Sequence, residues 1–176
     1  TGGLYYASIF DNMKDPNNWN ALIPDFDYEI TSMVLDDYQL SFTTSNKIFN
    51  YDINTEIINE IEFSFELQDI HQHAITTEGI WFADGDRFFL KTDSIDYLIN
   101  DNQYISDFDY KSGQLIAGSN SGFLFIEKGD DNEYGVNRLI PNTPATGSFS
   151  SITVLRDGRL VGGSGRGISI YDNEFF

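Results

Sequence analysis

The chain of 176 residues contains no cysteine, which excludes disulfide bonds, thiolate metal sites and a cysteine nucleophile. Basic residues are also scarce, because 10 Lys and Arg stand against 28 Asp and Glu and give a formal net charge of -18. An acidic chain repels both the phosphate backbone of nucleic acids and an anionic membrane surface. We therefore expect neither as a partner.

Long apolar runs are absent as well. No segment approaches the roughly 18 apolar residues that cross a bilayer, and the first 30 residues lack the basic stretch and apolar run of a secretion signal. We expect a soluble chain from which any signal is missing or already removed. Its 15 Phe, 10 Tyr and 2 Trp, within 40% hydrophobic residues, supply a sizeable core and exclude a disordered acidic tail.

One pattern occurs four times along the chain. In each copy an apolar residue precedes a second anchor by seven positions, and the copies start 40, 35 and 45 residues apart. The pairs are Leu40 and Lys47, Ile80 and Arg87, Leu115 and Gly122, and Leu160 and Gly167. This spacing matches one four-stranded propeller blade.

Each copy reads as two strands joined by a tight turn. Residues that favour turns, such as Asn46, Gly85 and Asn120, lie between runs of β-branched and aromatic residues. Runs such as 123–126 do not alternate with polar residues, which indicates strands covered on both faces. A further strand is predicted before each pair at 31–35, 74–77, 105–110 and 152–155, and a more polar fourth strand at 56–60, 95–99 and 136–140.

These elements predict an all-β fold, a β-propeller of four-stranded blades. Asp outnumbers Glu by 19 to 9, which fits turns rather than helices, and we expect little or no helix. The expected organisation is one propeller over 1–176, with a partial blade at 1–24 and blades at about 30–60, 73–99, 104–141 and 151–176, the last incomplete.

The pattern yields 17 strands, whereas a ring closed by one shared blade needs 16. We therefore favour a segment of a larger propeller over a closed four-bladed ring with one irregular strand. Such a segment is expected to associate with other chains through its open blade edges.

The last copy, which runs from Ser151 to Tyr171, resembles the two-component-regulator propeller repeat of Bacteroidetes proteins. The likeness lies in an apolar strand, Asp157-Gly158-Arg159-Leu160 and the glycines that follow, with Val161 and Ser164 where the repeat has Trp and Thr. The start, Gly3-Leu4-Tyr5-Tyr6 through Asn17-Asn18-Trp19, is similar to the N-terminal propeller of PorZ-type proteins of the type IX secretion system.

The resemblance implies export to the periplasm or cell surface and a binding role, either glycan sensing beside a histidine kinase or assistance to secretion. We expect a non-catalytic module that binds a glycan or protein partner and needs no cofactor. The alternatives are a propeller glycoside hydrolase or lyase and a structural spacer. Several carboxylates facing across the central channel would favour the enzyme.

Two kinds of metal site are considered and not favoured. His71 and His73 stand two residues apart, which in a strand would place both rings on one side, but no third ligand is evident. The acidic loops 84–86 and 129–133 depart from the Asp-x-Asp-x-Asp-Gly calcium spacing and are read as turns. The glycine-rich run 162–167 opens a hairpin, so a phosphate cradle is not expected.

A ligand is expected at one end of the propeller. Successive strands reverse direction, so the turns between second and third strands share an end with the loops that enter the next blade. This end collects Asn46, Asp86, Ser121 and Arg166 from hairpins, and His71, His73, Asn102 and Tyr104 from inter-blade loops. Binding residues accumulate on such loops, and Arg166 and Tyr104 are the leading candidates because a cation and an aromatic ring stand out there.

Overall fold

The computed structural model describes residues 3–100, 103–111, 114–130, 133–140 and 148–171. These residues hold 17 strands in five antiparallel sheets and a single 3-10 turn, Pro16–Asn18. The all-β propeller fold is confirmed, and so is the expected scarcity of helix. None of the described helical residues forms a stretch long and apolar enough for a membrane span.

The sheets follow the chain in order, each strand pairing with the next. The first sheet has two strands, β1 (Tyr5–Tyr6) and β2 (Asn20–Ala21). The second consists of β3 (Ser32–Asp36), β4 (Gln39–Thr43), β5 (Ile48–Asp52) and β6 (Ile57–Glu60). The third consists of β7 (Ile70–Thr76), β8 (Gly79–Asp84), β9 (Arg87–Lys91) and β10 (Asp96–Asn100).

The remaining strands form two more sheets. The fourth sheet consists of β11 (Ile105–Lys111), β12 (Gln114–Ser119), β13 (Gly122–Lys128) and β14 (Tyr134–Leu139). The fifth has three strands, β15 (Ser151–Val154), β16 (Leu160–Ser164) and β17 (Gly167–Tyr171).

The constant offset of seven residues has a simple structural origin. It spans a second strand and a two-residue turn, since Asp84 pairs with Arg87 across the β8–β9 turn and Ser119 with Gly122 across the β12–β13 turn. Gly85 has φ of 63° in its turn, a conformation that glycine adopts without steric cost.

The core lies between facing sheets, and the central strands contribute to it from both sides. In β8, Trp81 packs with Phe88 and Leu124 towards the fourth sheet, while Phe82 packs with Ile48 towards the second. Burying a large apolar side chain contributes about 1.5–3 kcal/mol. Burial on both faces explains why these strands do not alternate with polar residues.

Polar contacts join the first strands of successive sheets. Asp107 in β11 accepts hydrogen bonds from the backbone N–H of Ile152 in β15 at 2.8 Å and from the side chain of Gln72 in β7 at 3.0 Å. Asp109 accepts from the Val154 N–H at 2.9 Å. These bonds fix the sheets relative to one another along their inner strands.

The array of sheets is open, and apolar side chains are exposed on β3, beside the small first sheet, and on β17 of the last sheet. Met33 and Leu35 in β3 are 58% and 60% exposed, while Ile168 and Ile170 in β17 are 76% and 57% exposed. Exposed apolar strands favour pairing with other chains.

Candidate functional site

The hairpins between second and third strands lie at the same end as the connections between sheets. We call this end the loop end, made of the hairpin residues 44–47, 85–86, 120–121 and 165–166 with the described parts of the connections, 61–69, 103–104 and 148–150. Backbone hydrogen bonds join its parts: the Ile70 N–H donates to Ser45 O at 2.7 Å, and the Gly85 N–H donates to Asp69 O at 2.9 Å. The connections 61–69 and 103–104 are thus hydrogen-bonded to the hairpins beside them.

Asp84 and Arg87 organise the middle of the loop end. The Asp84 carboxylate has no exposed surface and accepts hydrogen bonds from the backbone N–H groups of Gln68 at 2.9 Å and Asp69 at 2.6 Å. Its other oxygen pairs with the Arg87 guanidinium, which also donates to Glu66 O at 3.3 Å. The β8–β9 hairpin therefore holds the 61–69 connection in place.

Two of the predicted ligand-binding residues, His71 and Tyr104, are in direct contact. Their rings stack with centroids 4.7 Å apart and planes 7° from parallel. The His71 ring nitrogens lie 3.1 Å from Asp69 O and 2.5 Å from Ile105 O. Tyr104 remains 44% exposed, so this stack offers a flat aromatic surface at the loop end.

The prediction that His71 and His73 lie in an inter-blade loop is wrong. Both are in β7, which starts at Ile70, and His73 is only 2% exposed. Its ring forms hydrogen bonds with Ser32 Oγ at 2.8 Å and Ser41 Oγ at 3.1 Å. Burial lowers its pKa to about 4. His73 therefore links the second and third sheets through hydrogen bonds and is not accessible to a ligand.

A β-bulge separates the two histidines. Ile70 pairs with Asp84 and Gln72 with Ala83, which leaves His71 as an extra residue in β7. His71 therefore contacts β11, whereas His73 contacts β3 and β4, so the two rings do not share one side. Within the described ranges, no three His, Asp or Glu side chains are placed to hold a metal ion.

The remaining predicted residues lie apart from one another along the loop end. Asp86 is exposed, and its carbonyl oxygen accepts a hydrogen bond from the Gln103 N–H at 3.2 Å, beside Tyr104. Arg166 is exposed in the β16–β17 hairpin, where its N–H donates to Ser164 Oγ at 3.2 Å. Asn102 lies outside the described residues.

Sequence reasoning missed a cavity of about 350 Å³ at the loop end, between the β4–β5 hairpin and the 61–69 connection. Its lining residues are Asn46, Lys47, Glu60, Ile61, Glu62, Phe63, Phe65, Glu66 and Leu67. The signal for it was the alternation of apolar and polar residues over 61–66, in which the polar members are exposed and the apolar members are half-buried.

A larger cavity, about 540 Å³, lies at the opposite end, between the first two sheets. Its walls are mostly apolar and include Tyr6, Leu35, Leu40 and Tyr51, with Glu56 at one side. None of the predicted ligand-binding residues lines it.

The two carboxylates of the inner strand β11 do not face each other. Asp107 and Asp109 both lie in β11, and both accept hydrogen bonds from the backbone of β15. Burial raises the pKa of Asp107, in spite of the N–H groups of Ile152 and Phe108 that donate to it. Each of the other described inner strands has one residue at the same distance from its sheet's second-to-third-strand hairpin as Asp107. These residues are Ser32 in β3, Gln72 in β7 and Ser151 in β15. None is a carboxylate, so these strands offer Asp107 no opposed carboxylate at that level.

The sequence matches no protein-family model and no curated protein sequence. Its fold is similar to the extracellular domain of the hybrid two-component system BT4673 from B. thetaiotaomicron, with 15% identity and a TM-score of 0.64 over 96% of this chain and 24% of that one. It is also similar to PorZ, a surface component of the type IX secretion system of Porphyromonas gingivalis, with 13% identity and a TM-score of 0.61 over 96% of this chain and 29% of that one.

A computationally designed protein, Ika4, has a TM-score of 0.65 at 9% identity, over 85% of this chain and 94% of its own. The chain thus spans about a quarter of the two natural structures and most of the designed one. The resemblance to two-component-regulator and PorZ-type propellers is confirmed at the level of the fold.

Proposed function

We propose that this chain is a non-catalytic propeller module of an exported bacterial envelope protein, and that it binds a glycan or protein partner at the loop end. The likeness in fold to the extracellular domain of a two-component system and to a surface component of a secretion system supports export and binding.

The observation that carries this proposal is the construction of the loop end. Connections and hairpins are bonded to one another, and an exposed aromatic stack at Tyr104 lies beside the exposed Asp86 hairpin. Preformed loops on a rigid frame bind with little loss of conformational freedom.

The proposal that the module is non-catalytic rests on the inner strands. Hydrolysis of a glycosidic bond needs two carboxyl groups on opposite sides of the bond. Asp107 and Asp109 instead lie on one strand and are occupied by backbone N–H groups, so they are not free to act as an acid and base pair across the channel.

The test begins with a ligand selected on the immobilised chain from a defined glycan array and a random peptide library. Its affinity is then measured for the Tyr104→Ala, Arg166→Ala double variant and for a control, Asp36→Asn, Asp37→Asn, at the opposite end. We expect a loss of at least about tenfold in the first and less than about twofold in the control. Mass spectrometry of the ligand after incubation should find it intact, and turnover abolished by one Asp or Glu substitution would favour the enzyme.

A further inference from the structure

The cavity between the β4–β5 hairpin and the 61–69 connection has a lining of unusual chemistry. Three of its residues are glutamates, Glu60, Glu62 and Glu66, and two are aromatic, Phe63 and Phe65. A volume of about 350 Å³ lies within the range of small ligand sites. It is large enough for one long side chain of a partner.

Two of the three glutamates are available to a ligand. Glu60 is already paired with Lys47, whose Nζ lies 2.7 Å from Oε2. Glu62 and Glu66 are exposed, and neither forms an ion pair with another residue that the structure describes. The cavity therefore carries negative charge that the chain itself does not neutralise.

One ammonium group of the chain already lies in this lining, and a second lies against one of its rings. The Lys47 ammonium pairs with Glu60. Lys91, which is not part of the lining and is ion-paired with Asp96 at 3.0 Å, has its Nζ 5.0 Å from the centre of the Phe63 ring. A cation over an aromatic face is attracted by the negative charge of the ring's π-face. A carboxylate of the lining thus pairs with an ammonium group inside the cavity, and the Phe63 ring has a face that a cation can approach.

The aromatic wall is held by the core and is ready for binding. Phe65 stacks on Phe89 with centroids 4.6 Å apart, and Phe63 packs edge-on against Phe82 at 5.2 Å. Arg87 fixes the backbone beside them through Glu66 O. A ligand therefore meets a preformed surface, which lowers the cost of binding.

We propose that this cavity binds the cationic side chain of a lysine or arginine on a protein partner. The inference rests on the proposed function, because it places that partner at the loop end, and it selects a protein over a neutral glycan. The ammonium or guanidinium group contacts Glu62 and Glu66, while the methylene stem lies along Phe63 and Phe65.

The experiment titrates the 176-residue chain at low ionic strength with a glycine-rich peptide that carries two lysines. The control ligand is the same peptide with both side-chain amines acetylated. NMR of the aromatic rings of Phe63 and Phe65 locates binding, and calorimetry measures affinity. The test variant is Glu62→Gln, Glu66→Gln. The control variant, Asp36→Asn, Asp37→Asn, removes the same number of negative charges at the opposite end. Melting curves are recorded for both variants.

We expect saturable shifts at Phe63 and Phe65 with the lysine peptide and none with the acetylated peptide. Neutralising Glu62 and Glu66 should weaken binding by about tenfold, whereas the control variant should stay within about twofold. Should the double variant fail to fold, the single substitutions Glu62→Gln and Glu66→Gln, each expected to weaken binding about threefold, replace it.

Three results would overturn the inference: no saturable shift, shifts that avoid both rings, or equal losses in the two variants. The last would mean that the peptide responds only to the net charge. The proposed function is tested separately by the Tyr104 and Arg166 variant, so a loop-end ligand without dependence on Glu62 and Glu66 would refute this inference alone.

Discussion

The carboxylate of Asp84 is fully buried, and the guanidinium of Arg87, three residues later, is its ion-pair partner across the β8–β9 turn. The other oxygen of Asp84 accepts two backbone N–H groups from the 61–69 connection. One side chain therefore joins a hairpin to a connection and holds one wall of the glutamate-lined cavity.

Replacing Asp84 with alanine should destabilise the chain by about 2–4 kcal/mol, because two backbone N–H groups and the Arg87 guanidinium lose their acceptor. The exposed neighbour Asp86 provides the control, and Asp86→Ala should change stability by less than about 0.5 kcal/mol. Urea unfolding measures both. Similar values for the two variants would mean that the buried pair does not hold the connection.

The buried imidazole of His73 makes stability depend on pH. Its pKa in the folded chain is about 4, below the value of about 6.5 in an unfolded chain. As the pH falls from about 6.5 towards 4, the unfolded state takes up a proton that the folded state does not. Stability is therefore lost on acidification, by up to about 3 kcal/mol for this group.

His73→Gln removes this titration and retains hydrogen-bonding groups for Ser32 and Ser41. Carboxylates titrate in both proteins, so their contribution cancels when unfolding free energies are compared from pH 7 to pH 4.5. We expect the wild-type chain to lose more stability than the variant over that interval. Parallel pH profiles would contradict the assignment.

Glycine at position 162 is required by an aromatic stack. A Cβ atom there would lie 2.5 Å from Phe149 Cδ1 and 2.8 Å from Phe123 Cζ, and these two rings stack with centroids 4.1 Å apart. Gly162→Ala should cost about 1–3 kcal/mol through overpacking. Gly165→Ala, where a Cβ meets nothing within 4 Å, should be close to neutral, and thermal unfolding of the two variants separates them.

The exposed face of β17 should drive association. Ile168 and Ile170 are 76% and 57% exposed on a three-stranded sheet, so we expect the chain to self-associate as its concentration rises. Ile168→Lys, Ile170→Lys should reduce association in sedimentation velocity. The control Leu98→Lys, Val136→Lys adds the same charge on outer strands, and a wild-type chain that stays monomeric at all concentrations would contradict the expectation.

The strands and their hairpins were predictable from the sequence, because each depends on local turn chemistry and on a repeated spacing. Ile80 and Arg87 already carry the geometry of a strand followed by a two-residue turn, as do Leu115 and Gly122. The burial of Trp81 between sheets also follows from an apolar run that does not alternate.

The positions of the two histidines were not predictable in the same way. The bulge at His71 places that ring on the opposite side of β7 from the His73 ring, and no residue beside it predicts the bulge. The role of Asp84 depends on a connection 15 to 16 residues earlier in the chain, and the cavity beside Phe63 depends on the same fold-back. Such features arise from contacts between distant segments, which spacing within one repeat does not encode.

The measurement that tests the central claim most directly is hydrogen–deuterium exchange of the chain with and without the ligand selected on it. We predict slower exchange at the loop end, in 61–69, 85–86 and 103–104, with the mass of the ligand unchanged. Protection confined to the opposite end, around Tyr6, Leu35 and Tyr51, would contradict the claim and place the site in the larger apolar cavity between the first two sheets.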